Sequence, residues 1–576
     1  MDCRKSSRGR SAPTGALGQP WPTGGTAYLR ARRGVLAISP LIASTGVGRV
    51  NCRPRRRRTL RPPLAVRGRP TGSVRELLAR FSRERRHCER GCEGARKPPP
   101  GPTPAGSSFL PTTWPRSCAK VCATFRPLMP SLTRRHFLHR SGTVLAGAAS
   151  LSALHHARAA GANERVRIAL IGCGGRGKLV ARNLVEAGAE LTCLCDLNPE
   201  RLDGAAKELA EVLPRAPKLQ ADVRRVWDDR EIDAVVIATP DHWHAPLAIQ
   251  ACQAGKDVYV EKPHAHNIWE SRQLVTAARK YRRIVQAGTQ NRSAPYNFLA
   301  RDYVQAGKIG RTALVKVYNL EPGSAFRLGD AGKQPAGFDW DRWLGPAPTR
   351  PWHQRLFRGG WHYFWDFSGG DMIDDGIHQM DLALMILGDK QRPKTISASG
   401  GKLAYPDSDG EVPDVQVVTY EFDDFVLTFE LTNYPRYMQK DSAEIRRNDL
   451  LPYWTMNSTR IEFYGSDLMM TVGRHGGGWI AAQIGGRIVE KQYGRPGDEP
   501  HTKNFVACVK SRQKPNADIE LAHISCSIVH LGNIAYRLRD TKLRFDWDQE
   551  QFIDHPAANR LLRRDYRPPY VVPEQV

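Results

Sequence analysis

Gly172, Gly174 and Gly177 stand in a G-x-G-x-x-G pattern. Glycine lets a backbone turn tightly and approach a pyrophosphate, and a helix opening there offers free N–H groups at a positive dipole end. The pattern alone is common. Here it follows an apolar run, Val166–Ile171, and opens a helical period reaching Ala187, with Asp196 nineteen residues past Gly177 at the end of a second apolar run. That context reads as a dinucleotide site. Gly172, Gly174, Gly175, Arg176 and Gly177 would surround the phosphates, and Asp196 would accept from the adenosine ribose hydroxyls. A carboxylate there repels a 2′-phosphate, so NAD is expected ahead of NADP. Arg201 either softens that preference or is a solvated helix residue. Further on, Glu261-Lys262-Pro263 closes the strand-like run Asp257–Val260, with Glu261 lying 84 residues after Gly177. A lysine held by a following proline at a strand end, past such a loop, is placed to reach a nicotinamide ring. Asp374 and His378, in Gly369-Gly370-Asp371-Met372-Ile373-Asp374-Asp375-Gly376-Ile377-His378, are spaced i, i+4, which puts both on one helical face.

The elements that must position these residues change character along the chain. Strand-like runs at Val166–Ile171, Glu190–Cys195, Asp233–Ala238, Asp257–Val260 and Ile284–Ala287 alternate with helical periods at Trp243–Ala254 and Ile268–Tyr281. Such alternation predicts a doubly wound parallel α/β sheet of the Rossmann type, which binds ligands at the carboxyl ends of its strands. From about Arg311, runs at Thr312–Leu320, Val415–Phe422, Phe425–Thr432, Thr459–Tyr464 and Asp467–Val472 alternate polar and apolar residues, and helical periods return at Thr502–Lys510 and Ile519–Leu538. This predicts an α+β domain with a large, mostly antiparallel, open-faced sheet, with Asp423-Asp424 as a tight hairpin turn.

The glycine loop, Asp196, the Glu-Lys-Pro triplet, Thr239-Pro240-Asp241-His242-Trp243-His244 and the Asp374/His378 segment together resemble the Gfo/Idh/MocA family of sugar oxidoreductases (glucose-fructose oxidoreductase and inositol dehydrogenase among them), from about Val166 to the C-terminus. The resemblance implies that Lys262 contacts the substrate hydroxyl and the nicotinamide region and shares management of the proton with His378, which takes the hydroxyl proton as hydride leaves carbon, and that Asp374 orients the site. It also implies that Thr239, Pro240, His244, Glu261 and Lys262 border the cofactor. Histidine suits proton transfer because its ordinary pKa lies near neutrality. The plainer readings are a helix start for His244, a solvated Lys262, and a capped helix N-terminus with His378 packed inside. Trp340–Trp365 holds five of the thirteen tryptophans. Their faces suit the C–H faces of sugars, or they pack a core. Trp361 and Tyr363, with Arg292 and His362, are the candidates there for substrate contact.

Composition separates the first part of the chain from the rest. Residues 1–130 carry 27 Lys and Arg against 5 Asp and Glu, so +22 of the formal +28 lies there. That stretch is Arg- and Pro-rich and has no sustained period, so it cannot bury enough apolar surface to offset its chain entropy. It is a basic leader, a nucleic-acid arm, or sequence ahead of the true start. From Met129, Thr133-Arg134-Arg135-His136-Phe137-Leu138, a weakly apolar stretch Ser141–Leu154, and Ala157-Arg158-Ala159 have the order of a twin-arginine export signal with its cleavage site. The apolar stretch is about half what a helix needs to span a bilayer. Cys88/Cys92 and Cys118/Cys122 lack histidine partners at finger spacing, so zinc is not expected, and no other metal site or disulfide framework is expected.

The organisation read from the sequence is therefore residues 1–128 a basic leader, 129–160 an export signal, 161–289 an NAD-binding Rossmann domain, and 290–576 a substrate and oligomerisation domain. The expected protein is an exported, periplasmic NAD-dependent oxidoreductase acting on a carbohydrate or polyol. Its expected partners are that substrate, the twin-arginine machinery and further copies of itself as dimer or tetramer, without nucleic acid or a membrane span. Two alternatives stay open: an NAD-dependent, redox-neutral glycosidase of the same superfamily, and a non-catalytic sugar sensor.

Overall fold

The computed structural model describes residues 165–539 and 542–576; the basic leader and the export signal lie outside the described residues. Six strands, β1 (Arg167–Ile171), β2 (Glu190–Cys195), β3 (Lys218–Gln220), β4 (Ala234–Ile237), β5 (Asp257–Val260) and β6 (Val285–Ala287), form one parallel sheet in the order β3-β2-β1-β4-β5-β6. β1 and β4 are buried along nearly their whole length, because helices cover both faces of a parallel sheet and leave no solvated side. The order reverses beside β1, where the ends of β1 and β4 open a crevice of the kind that holds a ligand.

Ten strands make the second sheet, in the order β14-β13-β12-β11-β7-β10-β9-β8-β15-β16. Its members are β7 (Thr312–Asn319), β8 (Thr395–Gly401), β9 (Val415–Glu421), β10 (Val426–Thr432), β11 (Arg460–Gly465), β12 (Met469–Gly473), β13 (Trp479–Ala482), β14 (Ile488–Gln492), β15 (Leu543–Asp546) and β16 (Gln551–Phe552). Only β7 and β10 pair in parallel; the other named pairs are antiparallel. In β10, Leu427, Phe429 and Leu431 are buried and alternate with half-buried residues, so one face is covered and the other partly wet. Burying each such side chain is worth about 1.5–3 kcal/mol. The covering layer is the helices Gly376–Ile386 and Ile519–Leu538, whose apolar residues share one core with the sheet. The β9–β10 connection turns through Asp423-Asp424, closed by stacked Phe422 and Phe425 rings 4.3 Å apart.

Strands β3, β8, β13, β14, β15 and β16 were not expected. β8, Thr-Ile-Ser-Ala-Ser-Gly-Gly, has small polar residues and half-buried positions, so its pairing with β9 and β15 makes it a strand where its own pattern does not. The chain also returns to the first sheet at its end. Phe505 and Val506 of the helix Asp498–Ser511 pack in the core on one face of that sheet, and Val572 and Val576 join the core on the opposite face. All six described cysteines are free and buried, and no described helix is long and apolar enough to cross a membrane.

Candidate active site

Gly172 follows β1 with φ +94, and a Cβ there would meet the Ala238 carbonyl oxygen at 2.5 Å. It therefore must be glycine, both for its left-handed backbone and for the close approach of the β4 end. Gly174 and Gly175 differ: an added Cβ would meet nothing within 4 Å at either. They leave an open cradle at the N-terminus of the helix Gly175–Glu186, which carries no side-chain cap. Its first N–H groups are free for an anion. Asp196, at the end of β2, accepts from the N–H of Cys173 at 2.7 Å and of Asn198 at 2.8 Å. Burial raises its carboxyl pKa against those bonds. Nearby the Thr239 hydroxyl is buried without a partner. Open glycines, a bare helix end and a carboxylate at the second strand fit a dinucleotide. Arg201 donates to the Phe357 carbonyl and lies 4.8 Å over its ring, so it is already engaged by the protein.

From this loop a cleft of about 490 Å³ runs past Thr239, Pro240 and Lys262 to Trp361, His362 and Asp374. Lys262 follows β5, and its peptide to Pro263 is cis. Its ammonium donates to both the carbonyl and the carboxylate of Asp374. His362, on the short turn Gly360–Tyr363, places Nδ1 3.0 Å from the other Asp374 oxygen, close but poorly aligned for a hydrogen bond. Asp241 lies on the turn after β4 and accepts from the Ser368 hydroxyl at 2.6 Å.

The cluster sets its own charges. Burial acts to lower the Lys262 pKa, but Asp374, Asp375 and Asp241 outweigh it and hold the ammonium charged. Burial acts likewise on His362 and is overcome by Asp374 and Asp241, so its pKa is raised. Asp374 would be raised by burial, yet His362 and Lys262 keep it well below the carboxylate range. Asp241, with burial and the neighbouring Asp374 charge against it, is pushed up to about 7. Near neutrality, then, this cluster holds exchangeable protons. Asp241, His362 and Asp374 keep ligand-type atoms within 4.8 Å of one another. The Lys262 ammonium, however, already sits on Asp374 and supplies the positive charge a cation would bring.

Several expectations from the sequence need correction here. Asp374 and His378 do not share one continuous helix: Asp371–Asp374 and Gly376–Ile386 are separate, broken at Asp375. His378 is 6% exposed and does not line the cleft. Burial, with Arg474 and Lys262 nearby, lowers its pKa well below the usual value. Arg292 is a core residue. It is 2% exposed, bonded to both Asp381 oxygens at 2.8 Å and to Asp389, and cannot reach a substrate. Tyr363 stacks on Phe326 at 4.4 Å and faces a separate small cavity with Asp371. Trp361 does line the cleft, stacked on His362 at 3.6 Å. Glu261 and Arg176 line it as well but hold each other at 2.8 Å. His244 ties the loop to the lysine turn, its ring nitrogens 2.8 Å from the Thr239 carbonyl and 2.6 Å from the Pro263 carbonyl.

Asp241 and Ser368 were missed. The signal for Asp241 was its place directly after Thr239-Pro240. Ser368, over a hundred residues away, had none.

Residues 166–289 match the NAD-binding Rossmann fold of the Gfo/Idh/MocA oxidoreductase family, and residues 328–428 and 486–572 match that family's C-terminal alpha/beta domain. Among curated proteins, the chain is 31% identical over 265 residues to a scyllo-inositol 2-dehydrogenase (NAD(+)) of Bacillus subtilis, covering 45% of this chain and 65% of that protein. It is 30% identical over 174 residues to a glycosyl hydrolase family 109 protein of a Shewanella species, covering 26% of this chain and 38% of that protein. The chain thus spans less than two thirds of these relatives' length. Among solved structures, levoglucosan dehydrogenase with NADH and L-sorbose is similar with a TM-score of 0.50 and 18% identity, covering 66% of this chain and 98% of that one. An oxidoreductase domain protein from Kribbella flavida has a TM-score of 0.50 at 19% identity, covering 68% and 100%. These likenesses concern the fold.

Proposed function

Since the chain belongs to the Gfo/Idh/MocA family of NAD-binding oxidoreductases, we propose that it oxidises or reduces a hydroxyl-bearing carbon of a carbohydrate or polyol. The observation that carries this reading is the Lys262–Asp374–His362 cluster, set in the cleft that begins at the glycine loop. Gly174, Gly175 and the helix end would hold the dinucleotide phosphates, and Asp196 the ribose. When bound, NAD supplies the hydride acceptor for oxidation and the donor for reduction. Lys262, kept charged by three carboxylates, donates a hydrogen bond to the substrate oxygen and steadies the negative charge that grows there. His362 takes the hydroxyl proton in oxidation and returns it in reduction, and Asp374 holds both side chains in register. His362 replaces His378 in this role because it reaches the cleft and its proton affinity is raised rather than lowered.

The sign of the pH dependence follows. A base must be unprotonated to act, and the His362 pKa lies above the ordinary value of about 6.5. Oxidation therefore rises with pH through a midpoint above that value, and reduction falls over the same range.

A redox-neutral glycosidase is the second reading. It is favoured by the glycosyl hydrolase relative and by Asp241, a second proton-holding group beside His362 that an elimination and re-addition could use. The export signal read at Met129 adds a condition. Free NAD is not expected outside the cytoplasm, so an exported enzyme would carry its cofactor folded in and restore it within the site, working as a homo-oligomer. The test is near-ultraviolet absorbance of the purified protein, without added cofactor, against a panel of sugars and glycosides. Reduced nicotinamide appearing with a free sugar supports the dehydrogenase. Aglycone release without it supports the glycosidase. Neither, with both substrate panels exhausted, overturns the proposal.

A further inference from the structure

Behind the active site lies a larger cavity, of about 900 Å³, that shares none of Lys262, His362 or Asp374. Its wall is assembled from the turn His266–Ile268, the segment Trp365–Gly369, the last turns of the helix Ile519–Leu538, and the chain around the helix Pro556–Arg560. Four arginines line it: Arg537, Arg560, Arg563 and Arg564. Arg563 is neutralised by Glu574 and Arg564 by Glu270, each at 2.7 Å. Arg537 and Arg560 have no carboxylate within ion-pair distance among the described residues. Arg537 instead lies 5.1 Å over the Trp365 ring, with Glu411 and Asp366 acting on it only from beyond ion-pair distance, and both Arg537 and Arg560 are exposed. Of the two wall carboxylates, Asp366 is held by Arg350, which leaves Asp565.

The wall also keeps buried donors unsatisfied. Asn267 is 6% exposed with its Nδ2 unpartnered, and Arg564 keeps Nε and Nη1 without an acceptor. These atoms are shielded from the cavity itself, so what an incoming anion would meet there is the pair of guanidinium groups, Arg537 and Arg560, that lack ion-pair partners among the described residues. Guanidinium forks match phosphate and carboxylate oxygens bidentately. The volume suits a whole small molecule rather than a lone ion, and Ile268, Ile534 and Leu561 supply an apolar side for its body.

We propose that this cavity binds a small organic anion bearing phosphate or carboxylate, clasped by Arg537 and Arg560. The position is that of an effector. Ser368 and Gly369 of the wall belong to the segment whose Ser368 hydroxyl bonds Asp241, and the Gly369 carbonyl accepts from Asn533 at 2.8 Å in the same wall. A ligand that stiffens this segment fixes the partner of the buried Asp241 carboxyl. The proposal is independent of which reaction the cleft performs.

The test is calorimetric titration of the full protein, first saturated with NAD so that the glycine loop is filled, with pyrophosphate and with citrate at constant ionic strength. Binding of pyrophosphate alone assigns a phosphate ligand, of citrate alone a carboxylate, and of both a site that accepts either. In each case Arg537→Gln and Arg560→Gln weaken binding at least about tenfold, equivalent to about 1.4 kcal/mol, while NAD affinity is unchanged. No binding of either probe, or binding indifferent to both substitutions, overturns the proposal.

Discussion

The glycine loop and the Lys262 cluster face one cleft but are built by opposite means. The loop works through backbone: open space over Gly174 and Gly175, a positive φ at Gly172 that suits glycine, and free N–H groups at a helix end. All of it lies within a few consecutive residues. The cluster works through side chains, and its members come from both sheets' domains: Asp241 and Lys262 from the ends of β4 and β5, His362, Ser368 and Asp374 from the segment ahead of the helix Gly376–Ile386. A backbone site tolerates change in its side chains but not in its glycines. A side-chain site depends on the packing that brings its parts together, so residues far from the cleft matter to it.

The largest effect that would sharpen this contrast is Lys262→Ala. Turnover should fall about 10³-fold, in the range for a preorganised donor that steadies developing negative charge, while NAD affinity measured by fluorescence stays within a few-fold. Equal loss of both would merge the two regions. Arg292→Ala should cost about 3–5 kcal/mol in denaturant unfolding by leaving the buried Asp381 and its neighbour Asp389 without their cation, with little change in activity per folded molecule. A catalytic loss without a stability loss would return Arg292 to the cleft. His362→Gln should lower oxidation about 10²-fold and abolish its rise with pH. His378→Gln should act less and leave the profile in place, and the reverse order would restore His378 as the proton carrier. The smallest effects divide the glycines. Gly172→Ala should destabilise the fold by about 1–3 kcal/mol. Gly174→Ala should leave the melting temperature alone and weaken NAD about tenfold, since its Cβ meets only the space a pyrophosphate would fill. If Gly174→Ala proves as destabilising as Gly172→Ala, the open cradle is not where the phosphates sit.

The fold was legible wherever an element's pattern agreed with its environment. Buried parallel strands read as apolar runs, and β9 and β10 as alternation. β8 was not, because small polar residues become a strand only between its neighbours. Of the site, Lys262 and Asp374 were legible as residues worth attention, but their direct contact was not. His362 was named only as a possible cleft residue, and Ser368 had no local signal. Arg292 misled because an arginine beside asparagine and glutamine resembles a pocket wall, and only its distant partners Asp381 and Asp389 reveal a core.

By itself the sequence determined the dinucleotide loop, the strand–helix alternation feeding it, and a lysine held by proline at a strand end, because these depend on residues close in the chain and on the conformations glycine and proline allow. Tertiary structure alone decided which histidine meets the lysine–aspartate pair, that Asp241 carries a raised pKa, and that four arginines enclose a second cavity. Those facts depend on burial and on distances between residues far apart in sequence, and the energies of charge and desolvation are set by where the folded chain puts them.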